Sequence, residues 1–178
     1  MSSSSRVASG DHIITSPGAR RVLAVLRIVL GLYFLWAFVD KTFGLRFTTA
    51  PDAAWLRGGT PAQGFIEYVA SSSPAAGLFE LFANPLGDAL FMAALLGIGT
   101  ALVLGIGVKV AALSGTVLMA MMWLASFPPA GAGEATNPLI DDHWIMALVM
   151  ILIALSRGGD TWGLGRWWST KVGDSWLR

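Results

Sequence analysis

Four apolar stretches divide the chain, and its polar residues collect between them. The first runs from Val22 to Val39, is opened by the pair Arg20-Arg21 and is broken only by Arg27. A second begins at Pro85, carries Asp88 near its start and is uncharged from Ala89 to Val108. Gly107-Val108-Lys109 reads as a tight turn into a third run, Val110 to Ala130, which closes on Pro128-Pro129. The fourth begins at Asn137-Pro138 and ends at Ser156-Arg157, but its unbroken apolar part is only Trp144 to Ser156. Since about 20 helical residues cross the hydrocarbon core, Asp141, Asp142 and His143 are expected in its first turns or at the interface. The predicted spans are 20–41, 85–108, 110–130 and 138–157.

Between the first two spans the pattern is mixed and punctuated by Pro51, Pro61 and Pro74. Thr60-Pro61 reads as an N-cap with proline in the first helical position. It predicts a short helix to about Ala70, with Phe65, Tyr68 and Val69 on one side. A second short helix is expected from Ala75 to Phe82. Both are too short to span and belong at the interface. The pattern therefore predicts an all-α membrane protein, a four-transmembrane-helix bundle over 19–157 with short interfacial helices in the first outer loop. Residues 1–18 read as a flexible cytoplasmic tail. Residues 158–178, with Trp162, Trp167, Trp168 and Trp176 beside Arg166, Lys171 and Arg178, read as an interfacial cytoplasmic tail. A secretory signal peptide would have a shorter apolar core and a small-residue cleavage site, so the first span is read as uncleaved.

Composition sharpens this picture. Of 178 residues, 54% are hydrophobic and only 13% charged, about half the charged share of a soluble domain. There is no cysteine, which excludes disulfides, thiolate metal sites and cysteine-held iron–sulfur clusters. With two histidines, one of them His12 in the N-terminal tail, neither a histidine-rich metal site nor a bis-histidine haem is expected, and no metal is assigned. A net charge of +1 gives no basic field for nucleic acid. Nine of the twelve basic residues fall on the side of the two termini, so both termini are expected in the cytoplasm. Eight of the eleven acids fall toward the opposite face.

Several patterns bear on chemistry. Ala89, Ala93, Gly97, Ala101 and Gly105 are spaced by four, a small-residue stripe that lets another helix approach. Packing within the bundle is the first expectation for it, homodimerisation the second. Gly97-Ile98-Gly99 lies mid-span without a preceding strand or third glycine and is not a dinucleotide loop. Arg27 lies about 9 Å inside the first span. Its side chain either snorkels to the cytoplasmic interface, pairs with Asp160, or meets a substrate or lipid headgroup. Met119, Met121, Met122, Met146 and Met150 read as deformable packing rather than copper ligands.

The stretch 137–144 is the most informative. Asn137 as N-cap and Pro138 behind it would start a helix whose dipole favours Asp141 and Asp142 in the first turns. Beside them His143 can exchange a proton near neutral pH. Asp40, Lys41 and Asp88 are expected at the same depth. Together they would form a polar cluster, with Asp141, Asp142 and His143 as candidate catalytic groups. Asp40, Lys41 and Asp88 join Tyr33, Trp36, Trp123 and Trp144 as candidate ligand-binding groups. A small polar cluster between apolar walls suits a quinone or another flat lipophilic ligand. The bland alternatives are an aromatic belt and acids held only by the helix dipole.

Arg27-Ile28-Val29-Leu30-Gly31-Leu32-Tyr33-Phe34-Leu35, closed by Asp40-Lys41, resembles the DoxX/DoxD family of small bacterial four-helix membrane proteins. Ala54-Trp55-Leu56-Arg57-Gly58-Gly59-Thr60-Pro61 with Gly64-Phe65, and Asn137-Pro138-Leu139-Ile140-Asp141-Asp142-His143, are similar to its DoxD-like branch. The likeness covers about Val22 to Trp168. It implies a four-helix bundle in the bacterial inner membrane. It also implies quinone-linked redox work, such as that of a thiosulfate:quinone oxidoreductase with a second small subunit. Three functions follow as expectations. They are a membrane subunit of a quinone-linked oxidoreductase, a non-enzymatic scaffold or assembly partner, and a small-solute transporter, which the absence of an internal repeat disfavours. Expected partners are membrane lipid and either a second subunit or further copies of the chain.

Overall fold

A computed structural model describes residues 13–128, 137 and 139–178. Among the described residues the chain is all helical, with no strand. The α-helices are α1 (Pro17–Phe43), α2 (Pro61–Tyr68), α3 (Ala76–Glu80), α4 (Pro85–Leu104), α5 (Val108–Ala125), α6 (Asp142–Leu155) and α7 (Gly165–Val172). Helices α1, α4 and α5 are long and apolar enough to cross a membrane, which makes this a multi-pass membrane protein. Helix α6 is equally apolar but has 14 residues, about 21 Å of rise.

Local chemistry sets the helix ends. Ser16 caps α1 from its side chain with Pro17 behind it, and Asn84 caps α4 by accepting from the Leu86 and Gly87 N–H groups ahead of Pro85. Gly44 ends α1 and Gly105 ends α4 in the left-handed region, at φ 68° and 73°. Two expected caps act differently. Thr60 makes no capping bond. Asn137 does not begin a helix: its side chain accepts from the Leu139 and Ile140 N–H groups in a local turn. Asp141 caps α6 instead, accepting from His143 N–H at 3.1 Å. Pro138 and the expected loop 130–136 lie outside the described residues, as does most of the expected N-terminal tail.

Helix α1 packs along α4, α5 along α6, and α4 joins the two pairs. The core between them is built from Phe34, Met92, Leu95, Ile98, Leu102, Met119 and Met150. The backbones of α1 and α4 cross closely at Gly31 and Gly99. A Cβ on either would lie 2.9 Å from the other's carbonyl oxygen. The expected packing stripe lies elsewhere. Ala89, Ala93 and Gly97 face outward, Gly97 with open space around it, and only Ala101 and Gly105 turn inward. Because α4 is apolar on nearly every side, its sequence does not distinguish the core face from the lipid face. The outer surface is correspondingly apolar. Val22, Val25, Val29 and Leu32 on α1 and Ile145, Leu148, Leu152 and Leu155 on α6 are exposed at helical spacing.

At one end of the bundle Arg27 is fully buried. All five of its N–H bonds go to carbonyls. Nε donates to Gly158 O (3.1 Å), Nη1 to Leu102 O and to Val103 O (2.9 Å), and Nη2 to Thr161 O (3.3 Å) and Trp162 O (2.9 Å). It therefore neither snorkels to water nor pairs with Asp160, which takes Arg178 at 2.8 Å. The planar fork satisfies the last carbonyls of α4, which no helical N–H reaches. It ties α1 and α4 to the segment that leads into α7. The chain beyond α7 is pinned in turn by Arg157 and Arg178 on Asp174, at 2.6 and 3.1 Å, and by Lys109 Nζ on Ser175 O. Desolvation acts to raise the Asp174 pKa, but the Arg178 hydrogen bond and the charges of Arg157 and Lys109 outweigh it and hold the carboxyl below its ordinary value. Trp162, Trp167 and Trp176 are exposed along this tail.

Candidate functional site at the His143 end

At the other end of the bundle, two buried carboxylates shape the site without lining it. Asp40, in the last turn of α1, accepts from Phe47 N–H (3.3 Å), Thr48 N–H (2.9 Å) and the Thr48 hydroxyl (2.7 Å). This folds the following loop back over the helix end. Asp88, in the first turn of α4, accepts from Ala62 N–H (2.7 Å), Gln63 N–H (3.1 Å) and the Gln63 side chain. Ala62 and Gln63 open α2, so a carboxylate from α4 performs the capping that the sequence assigns to Thr60. Asp40 and Asp88 thereby fix loop 46–49 and α2 as a roof.

Beneath that roof is a cavity of about 890 Å³ among α1, α4, α5 and α6. This is within the range of sites that take small organic ligands. Tyr33, Trp36 and Lys41 reach it from α1, Phe91 and Leu95 from α4, Met119 and Met122 from α5, and His143 and Met146 from α6. The roof adds Thr48, Thr49, Thr60, Phe65, Glu67 and Tyr68. Four of the sequence-predicted residues, Tyr33, Trp36, Lys41 and His143, thus meet around one space. Trp123 and Trp144 do not line it. They pack against each other edge to face at 5.4 Å, and Trp123 Nε1 donates to Leu139 O at 2.9 Å.

His143 Nδ1 lies 2.8 Å from Asp141 Oδ2 and 3.6 Å from Asp142 Oδ1. The closer carboxylate favours the tautomer with the proton on Nδ1, leaving Nε2 as the acceptor. Asp142 is exposed. Lys41 Nζ donates to the Thr48 hydroxyl at 3.3 Å, and that hydroxyl in turn donates to Asp40. The carboxylate that balances Lys41 is therefore relayed through a threonine and leaves ammonium donors for the cavity. Asp141, Asp142 and His143 bring one ligand atom each within 4.8 Å of one another. A cation held there through Nδ1 would have to displace the Asp141 hydrogen bond.

Sequence reasoning missed Glu67, Phe65, Tyr68, the threonines and the part played by Met119, Met122 and Met146. A signal existed for α2. Ala62 and Ile66 are its buried positions, and Ala70, just beyond the helix, continues the spacing of four. That spacing leaves Pro61, Gly64 and Glu67-Tyr68 on the adjoining face, which is the one turned to the cavity. Comparison with protein-family models, curated proteins and solved structures finds no match to the chain.

Proposed function

We propose that this chain is the membrane-embedded, quinone-binding subunit of a quinone-linked oxidoreductase. The observation that carries the reading is that Lys41 and the Asp141-paired His143 line one largely apolar, aromatic-walled cavity. A quinone is flat and lipophilic, with a carbonyl oxygen at each end. Lys41 donates to one oxygen. His143, doubly protonated with its Nδ1–H held by Asp141, donates Nε2–H to the other and passes that proton on as the ring is reduced, returning to the neutral form whose Nε2 takes up the next proton. Reduction takes two electrons and two protons from outside the ring. The resemblance to DoxX/DoxD proteins suggests thiosulfate as the electron source, two thiosulfates joining through a new S–S bond to give tetrathionate. Lys41 and Arg46 supply positive charge for such an anion. In this reading α6 is the fourth span, made up to full depth by the segment before it and supported by its exposed apolar stripe. Both termini are cytoplasmic, and the quinone site is at the outer face of a bacterial inner membrane.

The test is quinone-dependent turnover by purified protein with candidate donors, beside a thermal-melt control. His143→Gln should lower turnover about 10²–10⁴-fold, the usual contribution of a general acid or base, with the melt preserved. Equal turnover in His143→Gln and wild type at matched folded amounts would remove the reading. A scaffold role is favoured by one separate observation, the outward Ala89, Ala93 and Gly97 stripe, which invites a partner helix. Loss of a co-purifying subunit on Gly97→Leu, with no quinone-dependent activity in wild type, would put that role first.

A further inference from the structure

A second cavity of about 220 Å³ opens beside the first, between α4 and α5 and beneath α2 and α3. Phe65, Phe91, Leu118 and Met122 line both spaces, so they form a shared partition. The outer rim is Leu90 on α4 and Val117 on α5, each 52% exposed on the apolar surface of the bundle. Among the described residues the walls carry no charged side chain. Their one hydroxyl, Ser114 Oγ, is already spent on Val110 O at 2.9 Å. Such a chamber offers water no partners and stays dry. It offers hydrocarbon a continuous apolar lining that leads from the lipid surface to the partition. The partition is made of phenylalanine, leucine and methionine side chains, which yield by rotamer change more readily than backbone does.

We infer that this chamber takes the hydrocarbon tail of an amphiphile whose oxygen-bearing head occupies the Lys41–His143 cavity, and that the ligand enters from the bilayer between α4 and α5. The occupant follows from adjacency. A molecule with its head against Lys41 must place its tail somewhere, and the apolar space beyond the Phe91–Met122 partition lies between the head site and the lipid surface, opened to it by rotation of those side chains. The inference rests on the quinone reading only for the identity of the head.

Two probes test it in lipid nanodiscs holding the full chain, each with a photoreactive diazirine at the end of its tail. One is a decyl benzoquinone, the other a long-chain fatty acid. Adducts are mapped by mass spectrometry. The quinone probe should label Leu90, Val117 or Met121, and the labelling should fall at least about tenfold in Lys41→Met, which loses the head contact, a change equivalent to about 1.4 kcal/mol of binding. Val117→Trp, placed on the exposed rim, should block the same labelling. Should the fatty acid alone behave this way, the tail chamber stands and the quinone reading fails. Absence of labelling by both probes overturns the inference, as does labelling unchanged in Lys41→Met. Turnover that persists without labelling would overturn the chamber and leave the quinone reading intact.

Discussion

Replacing Arg27 by lysine keeps the charge and removes the fork, so it separates two explanations of a buried cation. The guanidinium donates to five carbonyls on three parts of the chain: the end of α4, Gly158, and Thr161 with Trp162. A lysine has three donors on one nitrogen and leaves at least two of these carbonyls without a partner. Each buried orphan costs about 1–3 kcal/mol. The ammonium still bears the desolvation cost of a buried charge. Arg27→Lys should therefore lose about 2–6 kcal/mol. Arg27→Met orphans all five carbonyls but also removes the desolvation cost, so its net loss should be in the same range. The expected result is that lysine rescues nothing relative to methionine. Reversible unfolding in mixed micelles measures the stabilities. Limited proteolysis of 158–178 gives a second readout, because the clamp holds the chain that leads into α7. Near-wild-type stability of Arg27→Lys beside a badly destabilised Arg27→Met would refute the carbonyl clamp. It would mean that the charge itself, through a lipid or anion, is what matters.

Asp88→Ala should cost about 2–3 kcal/mol, from a lost cap and charged hydrogen bonds, and should speed amide exchange selectively over 61–68. Exchange unchanged in α2 would show that Asp88 is not its cap. Gly99→Leu should destabilise by about 3 kcal/mol or more through backbone overlap with Gly31, whereas Gly97→Leu, in open space, should stay within about 0.5 kcal/mol. Equal melts for the two variants would contradict the α1–α4 crossing. At the tail, Asp174 has its pKa lowered in the folded chain, so its contribution is present at neutral pH and lost as pH falls through that lowered value. Protease protection of 158–178 should accordingly be full above the ordinary carboxylate range, weaken as pH falls through it and reach its floor only below the lowered value; protection indifferent to acid would contradict the Asp174 pairing.

The long helices were legible from their apolar runs, and Pro85 marks the start of α4 as read. Their other ends were less so: α1 begins at Pro17, inside the stretch read as a tail, and α4 closes at Gly105, before the turn read at Gly107-Val108-Lys109, whose Val108 already opens α5. The Asn137-Pro138 signal misled because Asp141, four residues on, offers a carboxylate to the His143 N–H and moves the start of α6. What could not be read was orientation about the helix axes. In a lipid-facing bundle the core and the surface are equally apolar, so the stripe at Ala89, Ala93 and Gly97 and the true contact at Gly99 look alike in sequence. That Asp40, Lys41, Asp88 and His143 fall near the ends of their helices was legible. Their roles were not. Only pairing across the fold assigns Asp40 to loop 46–49 and Asp88 to α2, while Lys41 and His143 remain at the cavity.

The proposed quinone would sit between Lys41 and His143, with one carbonyl oxygen at each. Infrared difference spectroscopy with a ring-carbonyl ¹³C-labelled benzoquinone addresses both contacts in one measurement. With that placement, two carbonyl bands shifted to lower frequency are expected in the wild type. Lys41→Met should return one band to its free position, and His143→Leu the other. Carbonyl bands that are unshifted in the wild type, or shifted identically in both variants, would contradict it.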